Sequence, residues 1–225
     1  MPKLSIVIPT LNEAATIGEL LAALRSFDRQ ATEIIVVDGG SHDGTVSLAD
    51  DGADCVLVVE AGRARQMNAG AEVAKGWYLW FVHADTGVTL QAWQALQAVM
   101  DQGVPWGRFD IRLSGTQWAF RVIERCINAR SRMTGIATGD QAIFVRRDCF
   151  VRLGGYAEMP LMEDVAFSKM MKTIGAPACL RERIISSSRR WEQHGIFKTI
   201  VLMWLLRWRY FLGCNPAELA SLYSK

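Results

Sequence analysis

The chain has 225 residues, half of them hydrophobic and 21% charged, which supplies enough apolar surface for one large core and rules out wholesale disorder. Its 25 Lys and Arg against 23 Asp and Glu leave a formal charge of +2, so no whole-molecule field draws it onto nucleic acid. The five cysteines, at positions 55, 126, 149, 179 and 214, contain no Cys-x-x-Cys pair; this argues against a disulfide framework or a structural zinc site and fits reduced thiols in the cytosol.

Met1-Pro2-Lys3 runs directly into the apolar stretch 4–8, too short for a signal-peptide core and without a small-residue cleavage site, so a cytoplasmic location is expected. Residues 4–8, 33–38, 55–59 and 77–82 are nearly continuous in apolar side chains, the pattern of parallel strands covered on both faces. Between the first two strands, Ile17, Leu20, Leu21 and Leu24 place one apolar stripe on a helix, with Asn12 as its expected N-cap. Further helices are expected over 65–75 and 90–100. After Gly107, the alternation of Phe109, Ile111 and Leu113 predicts a half-buried strand, and 118–127 has helical spacing. Residues 130–139 lack periodicity and read as a mobile loop; 141–145 reads as a strand and 164–174 as a helix. The expected fold is α/β, a mostly parallel Rossmann-like sheet flanked by helices, with a helical tail.

In such a sheet ligands bind beyond the carboxyl ends of the strands. Those ends are polar here. The first strand leads into Pro9-Thr10-Leu11-Asn12-Glu13, the second ends at Asp38 before Gly39-Gly40-Ser41-His42-Asp43-Gly44-Thr45, and the fourth runs into His83-Ala84-Asp85-Thr86. Any one of these is a turn former or cap; three on one rim point to a site. The Gly-rich turn has Ser41 where a dinucleotide fingerprint needs glycine, and no Lys follows Gly44 as in a P-loop, so both readings are disfavoured and Asp43 is expected to cap the next helix.

Taken with Gly62 through Gly70, Gly139-Asp140-Gln141, Gly154-Gly155-Tyr156 and Met162-Glu163-Asp164, these pieces resemble the family 2 glycosyltransferases of the GT-A fold, in the family's order from residue 4 to about 191. The resemblance implies an inverting, metal-dependent transfer of a sugar from a UDP- or GDP-sugar to an acceptor hydroxyl. It places Pro9, Thr10 and Glu13 along the nucleoside pocket, Asp38 as acceptor from the base, and Arg65 near base or diphosphate. Asp85 occupies the last position of the family's Asp-x-Asp metal motif and would hold Mg2+ or Mn2+. His83 replaces the first aspartate of that motif, as a metal or diphosphate contact or as a hydrogen-bonded strand-end histidine. Gly39 stands where many members carry a second Asp.

By the same resemblance Glu163-Asp164 is the acidic pair whose second member is the base, although two acids opening a helix also suit its dipole. Arg190 and Trp191 match the end of a Gln-x-x-Arg-Trp motif, with Arg190 facing diphosphate and Trp191, with Gly139 and Asp140, facing the acceptor; core packing is the other reading of Trp191. The pairing of His83-Ala84-Asp85-Thr86 with Ser188 through Glu192 and Gly195 is similar to a small bacterial subgroup linked to arsenosugar biosynthesis, which leaves the substrate open.

Residues 1–192 are expected to form the transferase domain and 193–225 a helical extension. The apolar run 200–206 is too short to span a bilayer. With its flanking aromatic and basic residues, the segment 196–212 reads as a helix packed on the sheet, a homodimer surface, or a helix lying peripherally on the inner membrane, where a polyprenyl-phosphate acceptor would reside; a small-molecule acceptor fits equally. A nucleotidyltransferase and a catalytically idle nucleotide-sugar or lipid-binding module are the competing functional readings.

Overall fold

The computed structural model describes residues 2–28 and 31–223. The chain enters the sheet at β1 (Leu4–Thr10), crosses through α1 (Ile17–Arg25) to β2 (Thr32–Asp38), and through α2 (Thr45–Gly52) to β3 (Cys55–Val58). Helix α3 (Arg63–Val73) returns it to β4 (Tyr78–Phe81) on the other flank of β1, and α4 (Leu90–Asp101) leads to β5 (Trp106–Leu113). Then follow α5 (Trp118–Thr134), β6 (Phe144–Arg146), α6 (Arg147–Arg152), α7 (Glu163–Met171), β7 (Ala178–Ser186), α8 (Arg189–His194), α9 (Ile196–Phe211) and α10 (Pro216–Tyr223). The seven strands lie in the order β3-β2-β1-β4-β6-β5-β7, and every strand pairing is parallel except the two made by β6.

The continuous apolar runs are explained by helices on both faces. Ile6 and Ile8 of β1 point into a core with Leu20, Leu21 and Leu24 of α1 and Leu96 of α4. Val7, between them, points the other way onto Met67 and Ala71 of α3, in a core shared with Phe150 and Phe167. Each such side chain taken fully out of water contributes roughly 1.5–3 kcal/mol. Helix α3 sits close to the sheet because residue 70 is glycine: a Cβ there would come within 2.4 Å of Val7 Cγ1.

Three expectations are corrected, and one strand, β7, is added. Residues 130–134 are not a loop but the last turn of α5, which ends at Gly135 in the left-handed region. The apolar stripe stops before the helix does because the last turn spends its side chains on polar contacts, Arg132 reaching Asp110 of β5 and the Cys179 carbonyl and Arg130 the Ile136 carbonyl, and the turn before it does the same along β5. The Asn128 side chain both donates to and accepts from the Ile111 backbone, and Glu124 accepts from Leu113 N at 2.6 Å. Strand β7 had no clear signature, since Arg181, Glu182 and Arg183 fall in a row on an edge strand whose other residues are mostly half-buried. Residues 139–141 form a 3-10 turn, and β6 begins only at Phe144. Asn12 does not cap α1: it has φ 54° and accepts from His42 N, while Thr16 holds the N-cap position.

Candidate functional site

Beyond the carboxyl ends of β1 and β2 the loops are tied together. Pro9 and Thr10 pair in register with Val37 and Asp38, and Thr10 Oγ1 donates to the Asp38 carboxylate at 3.0 Å. Asp38 is fully buried and also accepts from Gly40 N, Ser41 N and Ser41 Oγ. Burial works to raise its pKa, but the bonds from Ser41, Thr10 and Gly40 outweigh it and hold the carboxyl below its usual value. A carboxylate has about four lone-pair sites, so Asp38 is saturated by its own loop together with Thr10 of β1. Gln66, buried on α3, donates from Nε2 to Thr10 O at 2.7 Å and Val37 O at 2.9 Å, joining both strand ends to the helix. A Cβ on Gly39 would approach Gln66 Nε2 to 3.2 Å and the Ala61 backbone to 3.3 Å, so an aspartate here would need these neighbours to give by a few tenths of an ångström. Asp43 takes the expected structural part, accepting from Thr45 N at the start of α2 and from Ala14 N.

At the end of β4 the structure brings Glu13 and Asp85 to a common cation. Arg189, the first residue of α8, lies 3.1 Å from Glu13 Oε1 and 3.8 Å from Asp85 Oδ2. Arg190 is not at this rim: its guanidinium stacks over Tyr223 at 3.6 Å from the ring centroid and its Nη2 donates to the Tyr223 carbonyl. Trp191 is half-buried and packs on the main core beside Ile196 and Ile200. Neighbouring residues on a helix point about 100° apart, which sends Arg189 and Arg190 to different partners.

His83 packs against Gly139, where a Cβ would lie 2.8 Å from its Nε2. Burial first and the charge of Arg63 second lower its pKa to about 3, so the imidazole is neutral. On the far side of this contact, Gly139 N donates to Asp164 Oδ2 at 2.8 Å, and Val165 N donates to Asp164 Oδ1 at 2.7 Å. Thr138 and Gln141 clamp the 3-10 turn with a capping box, which fixes the Gly139 amide. Met162, at φ 71°, turns the chain into α7 so that Glu163 and Asp164 both face the site. Glu163 is buried, with Arg63 Nη1 3.5 Å from Oε1. Burial raises the pKa of both carboxyls; for Glu163 the adjacent Asp164 charge adds to it, while Arg63 opposes the rise in both and the Gly139 N–H does so in Asp164. Asp140 is half-buried next to this pair, and Arg65 lies outside it, paired with Glu60 and, at 3.5 Å, with Glu158.

The site is therefore a contiguous chain: Glu13, Arg189 and Asp85 on one side, His83 and Gly139 in the middle, Asp164, Glu163 and Arg63 on the other. Among the described residues no group of three or more His, Cys, Asp or Glu is placed to hold a metal ion. Asp85 is a single half-buried carboxylate, a donor set that fits a divalent cation taking its other ligands from a diphosphate and water. Gln66, Arg63 and Arg189 escaped the sequence reading as site residues. Arg63 and Gln66 lie within the motif at residues 62–70, and their one available signal was polarity on an otherwise core-facing helix.

The model of the family described as Glycosyl transferase family 2 matches residues 5–153. A PGL/p-HBAD biosynthesis glycosyltransferase of Mycobacterium bovis (strain BCG / Pasteur 1173P2) is 32% identical over 172 residues, covering 69% of this chain and 63% of the relative. The chain spans 42% and 63% of the first two curated relatives it matches. Among solved structures, Staphylococcus aureus TarS 1-349 in complex with UDP-GlcNAc superimposes with a TM-score of 0.65 at 19% identity, over 82% of this chain and 58% of TarS. The mannosyltransferase PcManGT from Pyrobaculum calidifontis, in complex with GDP-Man and Mn2+, does so with a TM-score of 0.60 at 22% identity, over 82% of this chain and 56% of that one. These likenesses identify the fold as GT-A.

Proposed function

This chain belongs to glycosyl transferase family 2, and from that membership we propose that it transfers a sugar from a nucleoside-diphosphate sugar, UDP- or GDP-linked, to an acceptor hydroxyl with inversion at the anomeric carbon. The observation that carries the reading is the seating of Asp164. Two backbone N–H groups orient its carboxylate, each oxygen keeps a second lone pair, and burial raises its proton affinity. In this reading the acceptor hydroxyl gives its proton to Asp164 as its oxygen attacks the anomeric carbon, and the bond to the diphosphate breaks on the opposite face. Glu163, held by Arg63, positions Asp164 and keeps a second negative charge nearby.

On the donor side, Pro9, Thr10 and Glu13 line the nucleoside pocket, and Asp38 shapes its loop through the four bonds it accepts. Arg189 faces the diphosphate, the place that the sequence motif suggested for Arg190. Asp85 would hold Mg2+ or Mn2+, which when bound supplies positive charge to the diphosphate oxygens. His83, neutral and packed on Gly139, sets the spacing between the donor and acceptor sides. Gly139 and Asp140 border the acceptor. We take residues 1–192 as the transferase core and 193–225 as an extension of it.

Calorimetry with a panel of nucleoside diphosphates, with and without Mn2+, followed by donor-sugar turnover, tests this. One nucleoside diphosphate binds more tightly with Mn2+, and Asp164→Asn abolishes turnover while keeping that affinity. If Asp164→Asn and Asp85→Ala both turn over donor sugar like the unaltered protein, the reading fails.

A further inference from the structure

Asp85, whose carboxylate fits the divalent cation, already has a cation beside it. Arg189 Nη2 lies 3.8 Å from Asp85 Oδ2 and donates to the Glu13 oxygens at 3.1 and 3.3 Å, and among the described residues no other ion pair reaches Asp85. Glu13 and Asp85 are like charges on one rim, and the guanidinium they share offsets their repulsion. It is also a competitor. A guanidinium and a divalent cation seek the same carboxylate oxygens, and each repels the other.

The fold builds this contact in. Gly87, two residues beyond Asp85, exchanges both main-chain hydrogen bonds with Ile185 near the end of β7, each 2.8 Å long. A Cβ on Gly87 would lie 3.1 Å from Ile185 Cβ, so glycine lets the two segments close up. Just before Arg189, the buried Ser188 donates from its N–H to Ser114 Oγ at 3.0 Å and from its hydroxyl to Glu192 at 2.8 Å. The backbone from β7 into α8 is thus pinned beside the loop that carries Asp85. The Arg189 side chain is free to turn: it is 47% exposed, and ion pairs this open are weak enough to exchange partners.

We propose that Arg189 gates Asp85: its guanidinium competes with a divalent cation for that carboxylate, and a nucleoside diphosphate, by drawing the guanidinium onto its own oxygens, releases Asp85 to the cation. The release by diphosphate rests on the transferase reading above, whereas the competition rests on the distances at the rim. One side chain then serves two anions in turn, and its anchored backbone keeps both within reach. Nucleotide and cation are thereby coupled, each strengthening the binding of the other by the same factor. Arg190 cannot take this part, since its guanidinium is held over Tyr223.

The test is titration of the whole chain with Mn2+ in nucleotide-free buffer, followed by electron paramagnetic resonance of the unbound ion. Arg189→Gln binds Mn2+ about three- to tenfold more tightly than the unaltered chain, a gain that misfolding cannot produce. Arg190→Gln removes the same charge one residue away and binds Mn2+ as the unaltered chain does. Asp85→Ala added to Arg189→Gln abolishes the gain and so assigns it to that carboxylate. Calorimetry with UDP and GDP then reads the coupling: Mn2+ tightens the nucleotide by a larger factor in the unaltered chain than in Arg189→Gln. Mn2+ held no more tightly by Arg189→Gln, held by neither protein, or gained equally by Arg190→Gln overturns the proposal, and so does an equal coupling factor in both chains. Nucleotide binding without the Mn2+ gain sinks the gate and leaves the transferase reading standing; the Mn2+ gain with no nucleotide bound sinks the release step together with that reading.

Discussion

Arg189 and Arg190 are adjacent, yet their replacement by glutamine has opposite consequences. Arg189 Nη2 lies 3.1 and 3.3 Å from the Glu13 oxygens and 3.8 Å from Asp85, and all three side chains are partly exposed. Ion pairs this open contribute about 0.2–1 kcal/mol, so Arg189→Gln costs folding no more than about 1 kcal/mol. A charge-assisted hydrogen bond from Arg189 to a diphosphate contributes about 1.5–3 kcal/mol, so the Kd for a nucleoside diphosphate rises roughly ten- to a hundredfold. Arg190→Gln instead removes a guanidinium stacked at 3.6 Å over Tyr223 and a bond to that residue's carbonyl. About 1–2 kcal/mol of stability is lost, and Tm falls by about 2–8 °C with Kd unchanged. Calorimetry with UDP and GDP in the presence of Mn2+, together with thermal melts of both variants, reads the two effects separately. Weaker nucleotide binding in Arg190→Gln with none in Arg189→Gln would refute the assignment and restore the motif-based one.

Because catalysis as proposed needs Asp164 ionised and its pKa is raised, the acid limb of the turnover profile lies above the usual aspartate value; a limb at that value contradicts this. The same shift makes the folded state bind a proton more readily than the unfolded chain, so the stability present at low pH is lost as pH rises through the folded pKa. Asp164→Asn, which cannot titrate, therefore flattens the change of Tm with pH across that range, which thermal melts at several pH values check. Gln66→Leu removes two buried hydrogen bonds for about 2 kcal/mol, seen as a fall in Tm of roughly 4–8 °C. Gly139→Ala forces a methyl group into His83 and loosens the amide that holds Asp164, so turnover drops while nucleotide affinity, measured by calorimetry, is kept.

Much of this molecule was legible in its sequence. The strands β1, β2 and β4 stood out because they are buried on both faces, so nearly every position is apolar, while β3 at the sheet edge is half-buried; a parallel sheet then directs polar residues to the rim that carries Glu13, Asp38 and Asp85. The family followed from the order of those rim motifs. Other parts were hidden because their partners are distant or polar. The end of α5 lost its apolar period where Arg132 turns to Asp110 of β5, and β7 carries three successive charges because it lies at the edge of the sheet.

What the sequence alone determined was the sheet, its two covered faces and the rim where chemistry sits, since hydrophobic period is a local property of the chain. The tertiary structure decided which side chains meet. It paired Glu13 with Arg189 across 176 positions, sent Arg190 to Tyr223, filled Asp38 with its own loop and Thr10, and left Trp204 and Trp208 of α9 exposed. Hydrogen bonds and ion pairs act over a few ångströms between elements far apart in the chain, so only the packing of those elements selects their partners.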